Sequence, residues 1–326
     1  MSTTPSTARA LPRTVRTTDY HAAGEPFRIV DEGLPPIPGD TVAERRALAL
    51  RRGPLDDVRR LLVQEPRGHS GMYGGFIVPA DDDGAHFGVL FWHKDGYSTA
   101  CGHGTMALGA WAVDTGRVVA PDDGDVAVRI DVPSGRVTAT VHRAGGRTTG
   151  VTFRNVPTSV VARKIAVTTS FGTVEVDIAD SGAVYVTVPA RDLGLDTSKA
   201  SLPELVRAGR EIRAAFPEHD VYGVILYDEL PDTPAGPHQR NVTVFADGQI
   251  DRSPCGSGTS ARLALLGEDG RLDGGAVLTH ESVADTVFHG RLLEGGVTEV
   301  TGSTHHTGSH TFVLDAHDDL GTGFLL

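Results

Sequence analysis

One short phrase occurs twice in the chain, as Cys101-Gly102-His103-Gly104-Thr105 and again as Cys255-Gly256-Ser257-Gly258-Thr259. Both copies fit C-G-x-G-T, and between them they contain the chain's two cysteines. The second follows the first by 255 − 101 = 154 residues, nearly half of the 326. Each copy leads into an Ala- and Leu-containing stretch of helical character. A repeat at that separation predicts two similar halves, each presenting one cysteine at the start of a helix. A chain this long has room for two domains or one large one.

The rest of the text reads as short β-branched runs broken by Gly, Pro and Asp. Strands are expected at 29–30, 75–79, 87–92, 126–132, 137–141, 151–153, 173–178, 183–188, 224–227, 242–245 and 311–314. Helices are fewer, at 42–50, 54–62, 105–114, 202–215 and 259–266, the last ending before Gly267 and Gly270. The pattern is that of an α/β (α+β) protein.

Composition narrows the function classes. Hydrophobic residues make up 39% and charged residues 22%, which excludes a disordered chain, a coiled coil or a collagen-like repeat. The strongly apolar stretches, such as 88–92 and 106–113, fall short of the roughly 20 residues a membrane span needs. With 42 acidic against 30 basic residues, the net charge of -12 repels nucleic acid and anionic lipid. Two cysteines are too few for a disulfide scaffold and fit a reducing cytoplasm. Residues 1–18 carry Arg9, Arg13 and Arg16 with many Ser and Thr and no acid, a superficial likeness to a transit peptide. A short tail ahead of the first strand is the plainer reading.

A helix start leaves backbone N–H groups without intrahelical partners at the positive end of the helix dipole, so it can hold a carboxylate. The same position depresses a thiol pKa to about 3.5–7.5 where the surroundings are electropositive. Each motif therefore offers an anion cradle and a base. Two helix starts facing across a cleft would hold a small acid with its α-carbon between two sulfurs. One thiolate could then take the α-proton while the opposite thiol delivers another, inverting the centre without a cofactor. Such a pair titrates with coupled pKa values. A buried cysteine alone would read as a small hydrophobe. A disulfide between the two is the other plain alternative.

Four strings carry a resemblance to a known family. They are Asp19-Tyr20-His21-Ala22-Ala23-Gly24-Glu25, Glu65-Pro66-Arg67-Gly68-His69, Gly96-Tyr97-Ser98-Thr99-Ala100-Cys101-Gly102-His103-Gly104-Thr105 and Asp251-Arg252-Ser253-Pro254-Cys255-Gly256-Ser257-Gly258-Thr259-Ser260-Ala261. From about Val15 to Leu326 the chain resembles the proline racemase family of proline racemases, 4-hydroxyproline 2-epimerases and trans-3-hydroxyproline dehydratases. The resemblance implies two pseudo-symmetric halves of the diaminopimelate epimerase-like fold, each a mixed curled sheet around a central helix, with the active site between them. It places residues 14–155 plus 315–326 in the first half with Cys101, and 160–305 in the second with Cys255. It implies no cofactor and no metal, a small-molecule substrate (proline or hydroxyproline), no nucleic-acid or membrane partner, and leaves a homodimer open.

Residue by residue, the resemblance makes Cys101 and Cys255 the acid/base pair. Gly102, His103, Gly256 and Ser257 hold the substrate carboxylate by their amides, and Asp251 and the His103 side chain lie near the ring nitrogen. Tyr73 and Phe245 line the pocket. Read without the resemblance, His103 could bond locally, Asp251 could be an exposed turn acid, and Tyr73 and Phe245 could be core aromatics. Neither His86, His93 and His103 nor His305, His306 and His310 come with a recognised metal-ligand pattern, and Gly102-His103-Gly104 is no phosphate loop.

Within the family, racemases and epimerases carry Cys at the second catalytic position and many dehydratases carry Thr. Inversion needs two bases on opposite faces whereas dehydration needs one, so Cys255 favours a 4-hydroxyproline 2-epimerase or a proline racemase. The alternative is a trans-3-hydroxy-L-proline dehydratase. Met72-Tyr73-Gly74, Trp92-His93-Lys94-Asp95-Gly96-Tyr97-Ser98-Thr99 and Phe245-Ala246-Asp247-Gly248-Gln249 look more like that branch. Asp180-Ser181-Gly182 departs from the Tyr-Gly-Gly common among relatives. Outside catalysis, the same cleft could serve a carboxylate binder or a thiol redox sensor.

Overall fold

The computed structural model describes residues 14–51, 53–245, 248–315 and 317–326. Most of the basic N-terminal tail, and Ala246 and Asp247 of the last dehydratase-like string, lie outside the described residues. The chain begins with the hairpin β1 (Thr14–Ala22) and β2 (Glu25–Val30), followed by α1 (Val42–Ala49) and α2 (Pro54–Val63). Then come β3 (Gly74–Val78), β4 (Phe87–His93), the short β5 (Gly96–Tyr97), α3 (Gly102–Asp114), β6 (Gly124–Val132), β7 (Gly135–Ala144) and β8 (Arg147–Arg154). The remainder is β9 (Ser159–Thr169), β10 (Gly172–Asp180), β11 (Val184–Pro189), α4 (Leu202–Ala214), β12 (Val221–Thr233) and β13 (Gly236–Phe245). It ends with α5 (Gly256–Glu268), β14 (Leu278–Ser282), β15 (Val287–Leu292), β16 (Thr298–Gly302) and β17 (Thr304–Val313).

The strands form one mixed sheet that reads as the same pattern laid down twice. One run is β17-β1-β2-β3-β4-β6-β7-β8, with β2 parallel to β3 and β4 parallel to β6. The other is β9-β10-β11-β12-β13-β14-β15-β16, with parallel pairs at the corresponding places, β11 with β12 and β13 with β14. The runs join where β8 pairs antiparallel with β16, Val151 opposite Gly302 and Arg154 opposite Glu299. The strand that returns to β1 is β17, with Thr304 opposite Ala22 and Val313 opposite Thr14; the family resemblance implies such a return from about Asp315.

Each run curls around one helix. α3 packs on β17, β1, β2, β7 and β8, and α5 packs on the counterparts β9, β10, β11, β15 and β16. A helix enclosed this way must be apolar, small or hydrogen-bonded on every side, and the buried Arg262 of α5 donates to Gln239 Oε1 and Thr187 Oγ1. Every residue from Gly102 to Val113 is buried, as is every residue from Gly256 to Leu266. Both helices begin three residues earlier than the expected Thr105 and Thr259. Glycine is a poor helix former, but at these starts it permits a close approach that no other residue would. Strands β1, β5, β9, β14, β15 and β16 carry no expectation from sequence. Among the described residues, no helix is long and apolar enough to cross a membrane.

Candidate active site

The two helix starts abut. A methyl added to Gly102 would sit 2.7 Å from the Gly256 Cα and 2.8 Å from the Ser257 nitrogen, and one added to Gly256 would sit 2.8 Å from the Gly102 Cα. Cys101 caps α3 and Cys255 caps α5. The ladders open with Thr105 N–H donating to Cys101 O and Thr259 N–H donating to Cys255 O. The amides of residues 102–104 and 256–258 therefore lie ahead of both ladders, at two positive helix ends with no acid in either first turn.

The glycine three places after each cysteine makes room for its sulfur. A methyl on Gly104 would meet Cys101 Sγ at 2.8 Å, and one on Gly258 would meet Cys255 Sγ at 2.9 Å. Both thiols are free and buried. Burial pushes the Cys101 thiol well above its usual range, and the charges of Asp251, Glu25 and Cys255 add to the push. Burial and then Asp251 do the same at Cys255. The Gly104 and Gly258 amides pull each thiol the other way without prevailing. Desolvation thus overturns the expectation that a helix start depresses these thiols.

The local sequence explains how Cys255 is held. Asp251 Oδ1 accepts from the Ser253 backbone N–H at 2.8 Å and from its hydroxyl at 2.7 Å. The Ser253 Oγ in turn accepts from the Cys255 N–H at 3.1 Å. This turn places Cys255 at φ 65, a left-handed conformation unusual for a side-chain-bearing residue and costly unless its surroundings enforce it. Asp251 Oδ2 is buried and makes no hydrogen bond of normal geometry. Burial raises the Asp251 carboxyl, and burial and then the Asp251 charge raise the Glu25 carboxyl, while Arg252 opposes both. Glu25 arrives from the β1–β2 turn, where Gly24 takes φ 99. It accepts from the Arg252 N–H at 2.8 Å and from Arg252 Nη2 at 3.1 Å, tying the two runs together.

His103 lies with both ring nitrogens 3.5 Å from Cys101 Sγ. Burial, then the Arg252 charge, lowers its pKa to about 3, so the ring is neutral. The rings of Tyr73 and His103 meet edge to face at 5.3 Å, and Tyr73 lies 5.5 Å from Phe245. The structure therefore gathers Tyr73, His103 and Phe245 beside the two motifs, with Asp251 one turn away from Cys255. Two further residues stand here that the sequence did not single out. Tyr185 donates to or accepts from Ser257 Oγ at 2.7 Å and lies 3.6 Å from Cys255 Sγ. Tyr222 hydrogen-bonds the Tyr73 hydroxyl. Tyr185 reads as ordinary core and Tyr222 lies ahead of the strand expected from sequence, so only the fold reveals them.

The sequence model of the family described as proline racemase matches residues 17–325. A trans-3-hydroxy-L-proline dehydratase of Bacillus thuringiensis subsp. konkukian is 40% identical over 330 residues, 95% of this chain and 97% of that protein. A 3-hydroxyproline 2-epimerase of Burkholderia multivorans is 41% identical over 339 residues, 97% of this chain and 99% of that protein. Among solved structures, a hydroxyproline epimerase from Agrobacterium vitis with bound trans-4-hydroxy-L-proline superposes with TM-score 0.87 at 28% identity, covering 96% of both chains.

Proposed function

We propose that this chain, which belongs to the proline racemase family, inverts the α-carbon of a hydroxyproline with Cys101 and Cys255 as opposing acid and base. The observation that carries the reading is the pair of free, buried cysteines capping two abutting helix starts. The substrate carboxylate sits on the amides of Gly102, His103, Gly256 and Ser257, which brings the α-carbon between the sulfurs. One thiolate takes the α-proton. The C–H electron pair flows into the carboxylate as an enediolate, which the two helix ends stabilise. The opposite thiol then protonates the other face, so the enzyme ends with thiol and thiolate exchanged and no other reactant consumed.

Burial holds both thiols protonated, and an incoming ammonium shifts that balance toward a thiolate. The buried Asp251 carboxyl, set between Glu25 and Cys255, suits the ring nitrogen of the substrate, with the neutral His103 ring beside it. Tyr73 and Phe245 suit the ring carbons. The 41% identity to a 3-hydroxyproline 2-epimerase supports a 3-hydroxylated ring, because that name joins the two-thiol chemistry to the dehydratase-like surroundings.

The relative from Bacillus thuringiensis favours a second reading, dehydration of trans-3-hydroxy-L-proline. Its first step is the same α-proton removal, after which that electron pair forms the Cα–Cβ double bond and the β-hydroxyl leaves with the C–O pair, protonated to water by the opposite thiol. Proton NMR of the reduced protein in heavy water, with L-proline, trans-4-hydroxy-L-proline and trans-3-hydroxy-L-proline in separate tubes, decides between them. Inversion gives a new α-deuterated diastereomer from a hydroxyproline. Loss of ring hydroxyl from the 3-hydroxy compound, with no inversion of any, would replace the epimerase reading by the dehydratase one.

A further inference from the structure

The phenols of Tyr73 and Tyr222 come from opposite runs of the sheet and from positions 149 residues apart, yet they hydrogen-bond each other. Tyr222 lies 5.4 Å from the Phe245 ring and 5.7 Å, edge on, from Tyr185, whose own hydroxyl is 3.6 Å from Cys255 Sγ. Burial raises the Tyr222 phenol, and the charges of both Cys101 and Cys255 reach it and raise it further, so it is a neutral donor close to both sulfurs. On its other side the phenol pair borders a cavity of about 280 Å³ that Ser98 and Thr99 also line and that neither cysteine reaches. Ser98 lies toward the Tyr222 phenol, and its buried hydroxyl makes no hydrogen bond of normal geometry.

We propose that Tyr222, with Tyr73, reads the hydroxyl on the substrate ring, so that the site takes a ring-hydroxylated proline in preference to proline. The inference rests on the family reading of the site given above and holds for inversion and dehydration alike. A ring hydroxyl can enter the phenol–phenol bond, accept from one tyrosine and donate to the other. A bare proline ring offers neither contact and leaves the two phenols bonded only to each other, so it forgoes the bonds that a ring hydroxyl would add. Phe245 supplies the apolar wall that both rings share.

The test compares the wild-type protein with Tyr222→Phe and Tyr73→Phe, measuring kcat/KM for trans-3-hydroxy-L-proline, trans-4-hydroxy-L-proline and L-proline, with a thermal melt of each variant. Wild type should prefer one hydroxylated ring over L-proline by at least about 10-fold, and each variant should lower that ratio by about 10-fold. An equal loss on both kinds of substrate, or an unchanged ratio, would overturn the inference. So would L-proline turned over as fast as either hydroxyproline, with the family reading left standing. If wild type leaves the α-proton and ring hydroxyl of all three intact, the family reading itself fails and takes the inference with it. Should a variant melt early, the wild-type ratio alone decides.

Discussion

Replacing Gly256 by alanine should force the two helix starts apart. The new methyl carbon would stand 2.8 Å from the Gly102 Cα and 3.0 Å from the Gly102 carbonyl carbon. Carbon atoms in contact prefer about 3.5–4.0 Å, so one helix start must retreat by roughly 0.7–1.2 Å. The obstacle is backbone, which cannot swing aside as a side chain would. Overpacking of this kind costs about 1–3 kcal/mol of stability. Catalysis should suffer more, because moving reacting groups by about 1 Å costs on the order of 100-fold in rate. The assay is α-deuteration of a hydroxyproline followed by NMR, with a urea melt in parallel. Gly150→Ala is the control: its methyl would meet only Gly302 O at 3.5 Å and a His142 ring carbon at 3.9 Å. It should change stability by about 0.5 kcal/mol or less. Gly256→Ala with wild-type rate and stability would refute the claim that contact between the helix starts sets the site.

Cys101→Ser and Cys255→Ser should each lower turnover by about 10²–10⁴-fold while melting close to wild type; a carboxylate binder would instead keep its affinity in both, and a redox sensor would show a reversible disulfide under mild oxidant. Because burial raises both thiols, kcat/KM should climb with pH through the neutral range, and a profile already flat below pH 7 would contradict that placement. Stability should fall on acidification. His93, His103 and His280 are lowered from 6.5 to about 4, 3 and 3, so the unfolded chain binds their protons first and stability present above pH 6.5 is lost as pH drops. Each ring contributes roughly 1 kcal/mol per pH unit below that point, partly offset by Glu25, whose raised carboxyl binds its proton first in the folded state. Urea melts at pH 7 and 5 check the sign. Arg252→Ala strips the cation from the buried Glu25 and should cost about 3 kcal/mol, measured the same way; a loss under about 1 kcal/mol would show the tie between the runs to be unimportant.

The duplicated C-G-x-G-T phrase made the two-run architecture and its two cysteines legible, because the same local chemistry had to be written once per run. Its glycines were legible as an anion cradle but not as the contact between Gly102 and Gly256, which is a tertiary fact. Both helices begin three residues ahead of the expected Thr105 and Thr259. The direction of the thiol shifts was misjudged for a related reason: the helix start can be read from sequence, but the burial that outweighs it cannot. Glu25 was quoted only as part of a family string, and nothing local announces that it meets Arg252 across 227 residues. Tyr185 sits between valines as any core residue does, and Tyr222 lies ahead of the expected strand at 224–227. Strands β14 and β16, Leu278–Ser282 and Thr298–Gly302, bury only alternate residues within five-residue, largely polar runs, too little pattern to detect.

The central claim is that two thiols work from opposite faces of one carbon, and isotope placement at low conversion tests it most directly. A single hydroxyproline diastereomer is turned over in heavy water and stopped after a few per cent of reaction. The account predicts deuterium at the α-carbon of the product and protium retained in the remaining substrate, since the proton removed stays on one sulfur while the other delivers deuterium. Deuterium entering the substrate as fast as the product forms would mean that one base serves both faces, and the opposed arrangement of Cys101 and Cys255 would then not be the catalytic one.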